Sequence, residues 1–473
     1  MPWMTRPPVP AGWRLRASAN LRTLADGRLL LGGTPMRLLT LSTRGTRLVA
    51  GWSLGVPVGD ALDERLLARR LLDAGLFDSD PPLSDDGRGE LTIVIPVHAR
   101  SDELRACLEA LGGRWPVIVV DDGSPNPDAI AAEAQRAGAQ LARHPVNRGV
   151  SAARNTGLRL AATPVVAFLD SDCVPSPDFP GKLLAHLEDP AVGMVAPRIV
   201  SPPAQHGRIA EYERARSALD MGAQPSLARP FGRVWYVPSA AMVARREALG
   251  AGFDEGLDIG EDVDLVWRLH DAGWQTRYEP RVSVAHVHRI DPIAWYRRRV
   301  FYNYSVAPLR LRHPTRLPVL YLTPAAAAAW SIALLARPES IAVLAAARAV
   351  RRRKALAPRL PGASRLAVVM STGETVHEGR ELARALAGPW SPLALAALML
   401  PRRRRTTRRL ATLFAAWLVG DWLSDRPTLD PLTYCSLRLA DESARGVGIW
   451  QGCFRARDPR SLLAARPPRG ERR

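Results

Sequence analysis

The apolar run Val165-Val-Ala-Phe-Leu169 leads straight into Asp170-Ser171-Asp172. Two carboxylates at i and i+2 beyond a strand can converge on one divalent ion. Mg2+ or Mn2+ favours such hard oxygen ligands and keeps positions open for phosphate oxygens. A cation held there would neutralise a diphosphate and make it a better leaving group. An Asp-x-Asp is common by chance, so the preceding buried strand is what gives this one weight. Upstream, Val117-Ile-Val-Val120 delivers Asp121-Asp122-Gly123-Ser124, whose acids can accept from a uracil N–H or from ribose hydroxyls. The same four residues also read as an ordinary capped turn.

Three further segments carry candidate groups. Asn147 to Gly157 is a loop feeding a helix, with Ser151 as its cap and Arg154 one turn inside. An arginine fork suits diphosphate or base recognition, although a solvent-facing arginine at a helix start looks the same. Gly260-Glu261-Asp262-Val263-Asp264 opens a helix with acids in its first turn. Such acids complement the helix dipole, but a carboxylate there can also take a proton from an attacking hydroxyl. Asp262 is assigned as that base, with Glu261 positioning it or the acceptor. Beyond Arg281-Val-Ser-Val-Ala285 come His286 and His288. His286 is the candidate third metal ligand, as a neutral imidazole, and a merely hydrogen-bonded histidine is the alternative.

The elements that must position these groups alternate along the chain. Leu91–Ile95 and Val117–Val120 read as strands, Asp102–Leu111 and Asp128–Gly138 as helices. This predicts an α/β domain with a mostly parallel, Rossmann-like sheet and helices on both faces. In such sheets ligands lie beyond the carboxyl ends of the strands, where the acids fall. Residues 1–88 read as a small α+β module: Arg28-Leu-Leu-Leu-Gly-Gly33 is a strand and turn, while Met36–Leu48 and Leu62–Leu76 have helical periodicity. The breaker-rich stretch Asp78–Gly87 marks its boundary. The catalytic domain is expected over 89–315 and a basic, mainly helical region over 316–473.

The net charge of +19 is almost wholly arginine. Its clusters, at Arg297–Arg299, Arg351–Lys354 and Arg402–Arg405, crowd toward the C-terminal end of the chain. That distribution suits an anionic membrane surface better than nucleic acid. Leu317–Ala336 is uncharged over about the 20 residues that cross a bilayer, yet it contains Pro318 and Pro324. A second uncharged run, Ala385–Pro401, is also interrupted by proline, and Leu410–Gly420 is too short to span. The expected setting is the cytoplasmic side of the cell membrane, either peripheral or with one or two C-terminal spans; a purely cytoplasmic protein is the alternative. The four cysteines are too dispersed for a zinc knuckle, and the N-terminus has no secretory apolar core. Dehydrogenase chemistry is disfavoured because no Gly-x-Gly-x-x-Gly turn follows the first strand.

In order, Ile95-Pro96-Val97, Val120–Ser124, Ala153-Arg154-Asn155, Leu169–Asp172 and Gly260–Asp264 resemble the family 2 glycosyltransferases of the GT-A fold. The resemblance implies inverting transfer from a nucleotide-diphosphate sugar. It implies Pro96, Asp121, Asp122, Arg154 and Asp170 at the nucleotide sugar, a divalent metal on Asp170 and Asp172, and Asp262 as base. A narrower likeness, to the glycosyltransferases of mycofactocin biosynthesis in actinobacteria, rests on several segments. They are Leu30-Leu31-Gly32-Gly33-Thr34-Pro35-Met36-Arg37-Leu38, Asp170–Pro175, Tyr236–Ala241, Val263–Trp274 and Ala285–Arg289. It implies UDP-glucose as donor and premycofactocin, a small peptide-derived redox compound, as acceptor of β-linked glucose. The N-terminal module is similar to the small peptide-recognition, winged-helix-like modules of modified-peptide pathways. No Gln-x-x-Arg-Trp motif follows the base, which favours short-chain transfer over polysaccharide synthesis. Two other readings stand beside this one: a membrane glycosyltransferase with a lipid or cell-wall acceptor, and a non-catalytic nucleotide-sugar-binding protein.

Overall fold

The computed structural model describes residues 6–82, 90–360, 362–397, 399 and 403–466. By internal contacts the chain forms two compact units, one of residues up to Gln205 together with Ser217–His288, the other of His206–Arg216 together with Arg289 onwards.

A nine-stranded sheet organises the first unit. Four parallel strands form one half, in the order Gln140–His144, Val117–Asp122, Leu91–Val97, Val165–Leu169. Beyond them the sheet becomes mixed. Ala241–Arg245 pairs antiparallel with Val165–Leu169 and with Val192–Val200. Val192–Val200 runs parallel to Gln275–His286, which also carries the short antiparallel strands Cys173–Pro175 and Ser226–Ala228. The strand pleat sends alternate side chains to opposite faces. Leu91, Ile93, Ile95 and Val97 therefore pack on Leu104, Leu108 and Ile130 of the helices Ser101–Leu111 and Pro127–Arg136. Val94 faces the other side, against the helix Val150–Leu160, and approaches so closely that a Cβ on Gly157 would lie 2.2 Å from its Cγ1.

The N-terminal residues combine a three-stranded antiparallel sheet (Arg22–Leu24, Leu29–Gly32, Arg37–Thr40), the helices Thr43–Ser53 and Leu62–Asp73, and a strand pair, Arg14–Ala17 with Phe77–Asp80. The helical periodicity read from Met36 to Leu48 is half strand. Leu38 and Leu39 pair with Leu31 and Leu30, and the helix starts only after Ser42, whose side chain caps Gly45 N. Here tertiary pairing overrides local pattern. These residues share the first unit with the large sheet, joined by a buried ion pair: Arg69 Nη2 donates to both oxygens of Asp189 at 2.6 Å. The linker boundary expected at residue 88 lies outside the described residues.

The second unit is mainly helical and, besides His206–Arg216, takes in the chain from Arg289, before the boundary expected at 315/316, because the helices Pro292–Tyr304 and Val306–Arg312 pack on Pro431–Ala456. None of its described helices is long and apolar enough to cross a membrane. This corrects the expected spans. Within Leu317–Ala336 only Pro324–Leu335 is helical, 12 residues, because Pro318 and Pro324 hold the preceding stretch out of a helix. Ala385–Pro401 breaks between the helices Ser364–Ala387 and Ser391–Ala397, and its end, with Arg402, lies outside the described residues. Leu410–Gly420 lies inside the charged helix Arg403–Asp425.

Candidate active site

All the candidate groups reach one edge of the large sheet. The parallel strands end there, Gln275–His286 ends there, and Ala241–Arg245 starts there, with Asp170 N donating to Ala240 O at 2.9 Å.

The Asp121–Ser124 turn divides its two acids between different tasks. Asp122 is spent inside the protein: Oδ1 bonds His144 Nδ1 at 2.7 Å and Arg148 N at 2.9 Å, and Oδ2 accepts from Gly149 N at 2.8 Å. It fixes the loop Asn147–Gly149 against the sheet edge. Gly123 is required there, since at φ 72° a Cβ would sit 2.5 Å from Asn147 N and Val146 C. Asp121 Oδ1 accepts from Ser124 N at 2.8 Å, whereas among the described residues its buried Oδ2 has no hydrogen-bond donor and is ion-paired to Arg143 Nη1 at 3.3 Å. An unfilled buried acceptor suits a base N–H or a ribose hydroxyl. Pro96 is buried in its strand, one residue before Val97 and the exposed His98, whose Nδ1 lies 3.0 Å from Asp122 O.

The next strand end carries an ion-pair chain. Arg154 is 2% exposed; its Nη2 donates to Asp170 Oδ1 at 2.6 Å and its Nη1 to Glu261 Oε1 at 2.9 Å, with the guanidinium over the Phe253 ring. Burial works against its charge, but the two carboxylates push its pKa up. Arg154 therefore links Asp170 to the helix Glu261–Asp271 instead of facing open space. The helix holding it is capped by Gly149 at φ 92°, which corrects the expected cap: Ser151 is buried inside the first turn and its Oγ has no partner among the described residues. Burial also raises Asp170, against the pull of Arg154.

Glu261 accepts from Ser239 Oγ at 3.0 Å as well as from Arg154. Beside it, Asp262 is pushed up to about 7 by burial and by repulsion from Glu261, despite the hydrogen bond from Val263 N at 2.7 Å. A carboxyl tuned near neutrality exchanges protons readily at physiological pH. Asn155 holds the approach to this helix. Its Oδ1 accepts from Phe253 N at 2.8 Å, and its Nδ2 donates to Phe253 O and Glu255 Oε1, both at 2.9 Å.

His286 stands opposite Cys173 in the strand pairing, with Nε2 3.6 Å from Asp172 Oδ1. Asp172 Oδ2 is held by Arg100 Nη1 at 2.6 Å. Among the described residues no three His, Cys, Asp or Glu side chains are assembled around one cation position.

The Glycosyl transferase family 2 model matches residues 92–253. Pre-mycofactocin glycosyltransferase of Mycobacterium tuberculosis is 39% identical over 470 residues, 96% of this chain and 98% of the relative. The chain belongs to glycosyltransferase family 2. An N-acetylglucosaminyltransferase of Mesorhizobium japonicum matches more narrowly, 26% identical over 227 residues, 44% of this chain and 53% of the relative. Among solved structures, the mannosyltransferase PcManGT from Pyrobaculum calidifontis, in complex with GDP-Man and Mn2+, aligns at a TM-score of 0.38 and 22% identity, over 72% of this chain and 90% of that one.

In this family 2 glycosyltransferase the large sheet is the GT-A core. Of the residues singled out from sequence, it brings Asp170, Arg154, Glu261 and Asp262 into one network and sets Asp172 with His286 beside it. Asp122 and Arg154, expected at the nucleotide sugar, meet protein partners through both Asp122 oxygens and both terminal Arg154 nitrogens. Three residues escaped the sequence reading. Ser239 carried a signal, lying within the Tyr236–Ala241 stretch. Asn155 follows Arg154 directly. Arg100 gave only its place, four residues beyond Pro96 at the end of a strand.

Proposed function

We propose that this glycosyltransferase moves glucose from UDP-glucose onto premycofactocin with inversion, building β-linked glucose on a small peptide-derived acceptor. The observation that carries the acceptor is the 39% identity to pre-mycofactocin glycosyltransferase across nearly the full length of both chains. The geometry supports the reaction. Asp121, with its unfilled Oδ2, receives the base or ribose, and His98 offers a ring to cover it.

The residues at the Asp170–Asp172 turn fit a divalent cation, Mg2+ or Mn2+. They present two carboxylates as hard oxygen donors, and His286 turns its Nε2 to within 3.6 Å of one of them, Asp172 Oδ1. Asp170 and Asp172 would hold it, with His286 adjoining, and it would supply charge neutralisation to the diphosphate. Asp262 takes the proton of the acceptor hydroxyl. That oxygen bonds to the anomeric carbon from the face opposite the diphosphate, and the C–O bond to the diphosphate breaks with its electron pair leaving on the nucleotide. Glu261, fixed by Arg154 and Ser239, keeps Asp262 raised and oriented. Arg154 acts as a positioning residue that ties the cation end of the site to the base end.

Purified protein offered UDP- and GDP-sugars with premycofactocin tests this by mass spectrometry. Hexose increments from UDP-glucose are expected, and their absence with every donor removes the acceptor assignment. A second reading, a lipid-borne acceptor, draws on a groove of about 660 Å3 in the helical unit, lined by Ile293, Tyr296, Val300, Phe301, Tyr304 and Val447. Radiolabel appearing in extracted lipid and not in premycofactocin would favour it.

A further inference from the structure

Arg100 is placed by a strained turn. After the strand Leu91–Val97 the backbone passes through Ala99 at φ 61°, a left-handed conformation that is unfavourable for a non-glycine residue. Ala99 N donates to Ser124 Oγ at 2.9 Å, and Ser124 N in turn donates to Asp121 Oδ1, so the turn is pinned to the nucleotide end of the site. Its outcome is to aim the next side chain, Arg100, at Asp172 Oδ2.

Arg100 and Arg154 both pair with an acid of the Asp-Ser-Asp turn, but they are built differently. Arg154 is 2% exposed and engaged on two carboxylates from two elements. The Arg100 side chain is 34% exposed, and among the described residues its ion pair is with Asp172, through one nitrogen. A half-exposed, single-nitrogen pair contributes little to stability and leaves the other N–H groups of the guanidinium to face phosphate oxygens. A divalent cation and Arg100 compete for the same carboxylate oxygen.

We infer that Arg100 is an exchangeable counter-ion: it occupies Asp172 until a nucleoside diphosphate arrives, then passes to the diphosphate and yields Asp172 to the cation. This rests on the cation reading given above. The consequence is positive coupling between diphosphate and cation, which by linkage is equal in both directions.

The test is Mn2+ binding to the full chain, read by electron paramagnetic resonance and calorimetry, without and with UDP and without any sugar transfer. The wild type should bind Mn2+ weakly alone and more tightly with UDP. Arg100→Gln should bind Mn2+ alone about 5- to 10-fold more tightly, as expected for losing a partly exposed ion-pair competitor, and should show a smaller gain on adding UDP. Arg100→Lys, which keeps the charge, should stay near the wild type without UDP. Equal Mn2+ affinity for wild type and Arg100→Gln without UDP overturns the inference, and so does a Lys variant that behaves like Gln. Asp172→Asn separates the two readings. If it binds Mn2+ like the wild type, the cation site itself is wrong; if it abolishes binding while Arg100→Gln changes nothing, only the role of Arg100 falls.

Discussion

Two buried ion networks, one in each unit, shift their carboxyls in opposite directions. At the sheet edge, Asp170, Asp172, Glu261 and Asp262 face Arg154 and Arg100. Within the helical unit, among the described residues, Asp421 meets Arg216, Arg380 and Arg438, and Glu442 meets Arg384, Arg438 and Arg445, while Asp425, Asp441 and Glu381 share Arg216, Arg438 and Arg384 with them. Acid in excess raises carboxyls: Asp262 goes up to about 7 through burial and Glu261, and Asp170 rises through burial. Three arginines gathered on one acid lower it, so Glu442 and Asp421 fall below the usual carboxylate range even though burial pulls upward. The first arrangement leaves a carboxyl able to take a proton near neutrality. The second holds each of its two central acids between arginines and serves as a lock.

The comparison can be broken most sharply at Asp262. Asp262→Asn should lower kcat by about a thousandfold, within the range for losing a general base, while UDP binding by calorimetry and the unfolding midpoint stay near wild type. Retained turnover would remove Asp262 as the base. In the helical unit the expected loss is stability: Glu442→Gln strips a partner from Arg384, Arg438 and Arg445 and should cost about 3–5 kcal/mol in chemical denaturation. A change below about 1 kcal/mol would mean the surrounding acids re-pair the arginines.

The two networks should also answer pH with opposite signs. A base raised to about 7 is protonated below that pH, so kcat/KM should climb with unit slope on a logarithmic plot and level off above about 7. Asp262 correspondingly favours the folded state at low pH, and that contribution is lost as pH rises through about 7. Glu442 runs the other way: its contribution is present above the ordinary carboxylate range and is lost as pH falls through its depressed value. A pH–rate profile flat from 6 to 8 would detach the base from the raised carboxyl. The smallest expected effect is at Ser239→Ala. It removes one hydrogen bond to Glu261, worth about 1 kcal/mol, and should lower kcat/KM about fivefold without shifting UDP affinity.

Much of the site could be read from the chain because the acids follow apolar runs that only a buried sheet accommodates. Val165–Leu169 and Val117–Val120 had to be strands, and the residues after them had to emerge on one edge. Helix limits were close too, Ser101–Leu111 and Pro127–Arg136 against the expected Asp102–Leu111 and Asp128–Gly138. The mixed half of the sheet was harder. Ala241–Arg245 and Val192–Val200 owe their directions to pairings across long separations, which periodicity does not encode.

By itself, then, the sequence determined which residue types could do the chemistry and on which edge of the α/β sheet they would gather, because strand periodicity and breaker positions are local properties. Tertiary structure alone decided their division of labour. Asp121 keeps one oxygen without a hydrogen-bond donor among the described residues while Asp122 is consumed in holding a loop, Arg154 is sealed between two acids while Arg100 remains partly open on Asp172, and Asp262 is raised through burial beside Glu261. Those roles depend on distance, burial and the charges brought alongside from remote parts of the chain, and none of these is written in the spacing of residues.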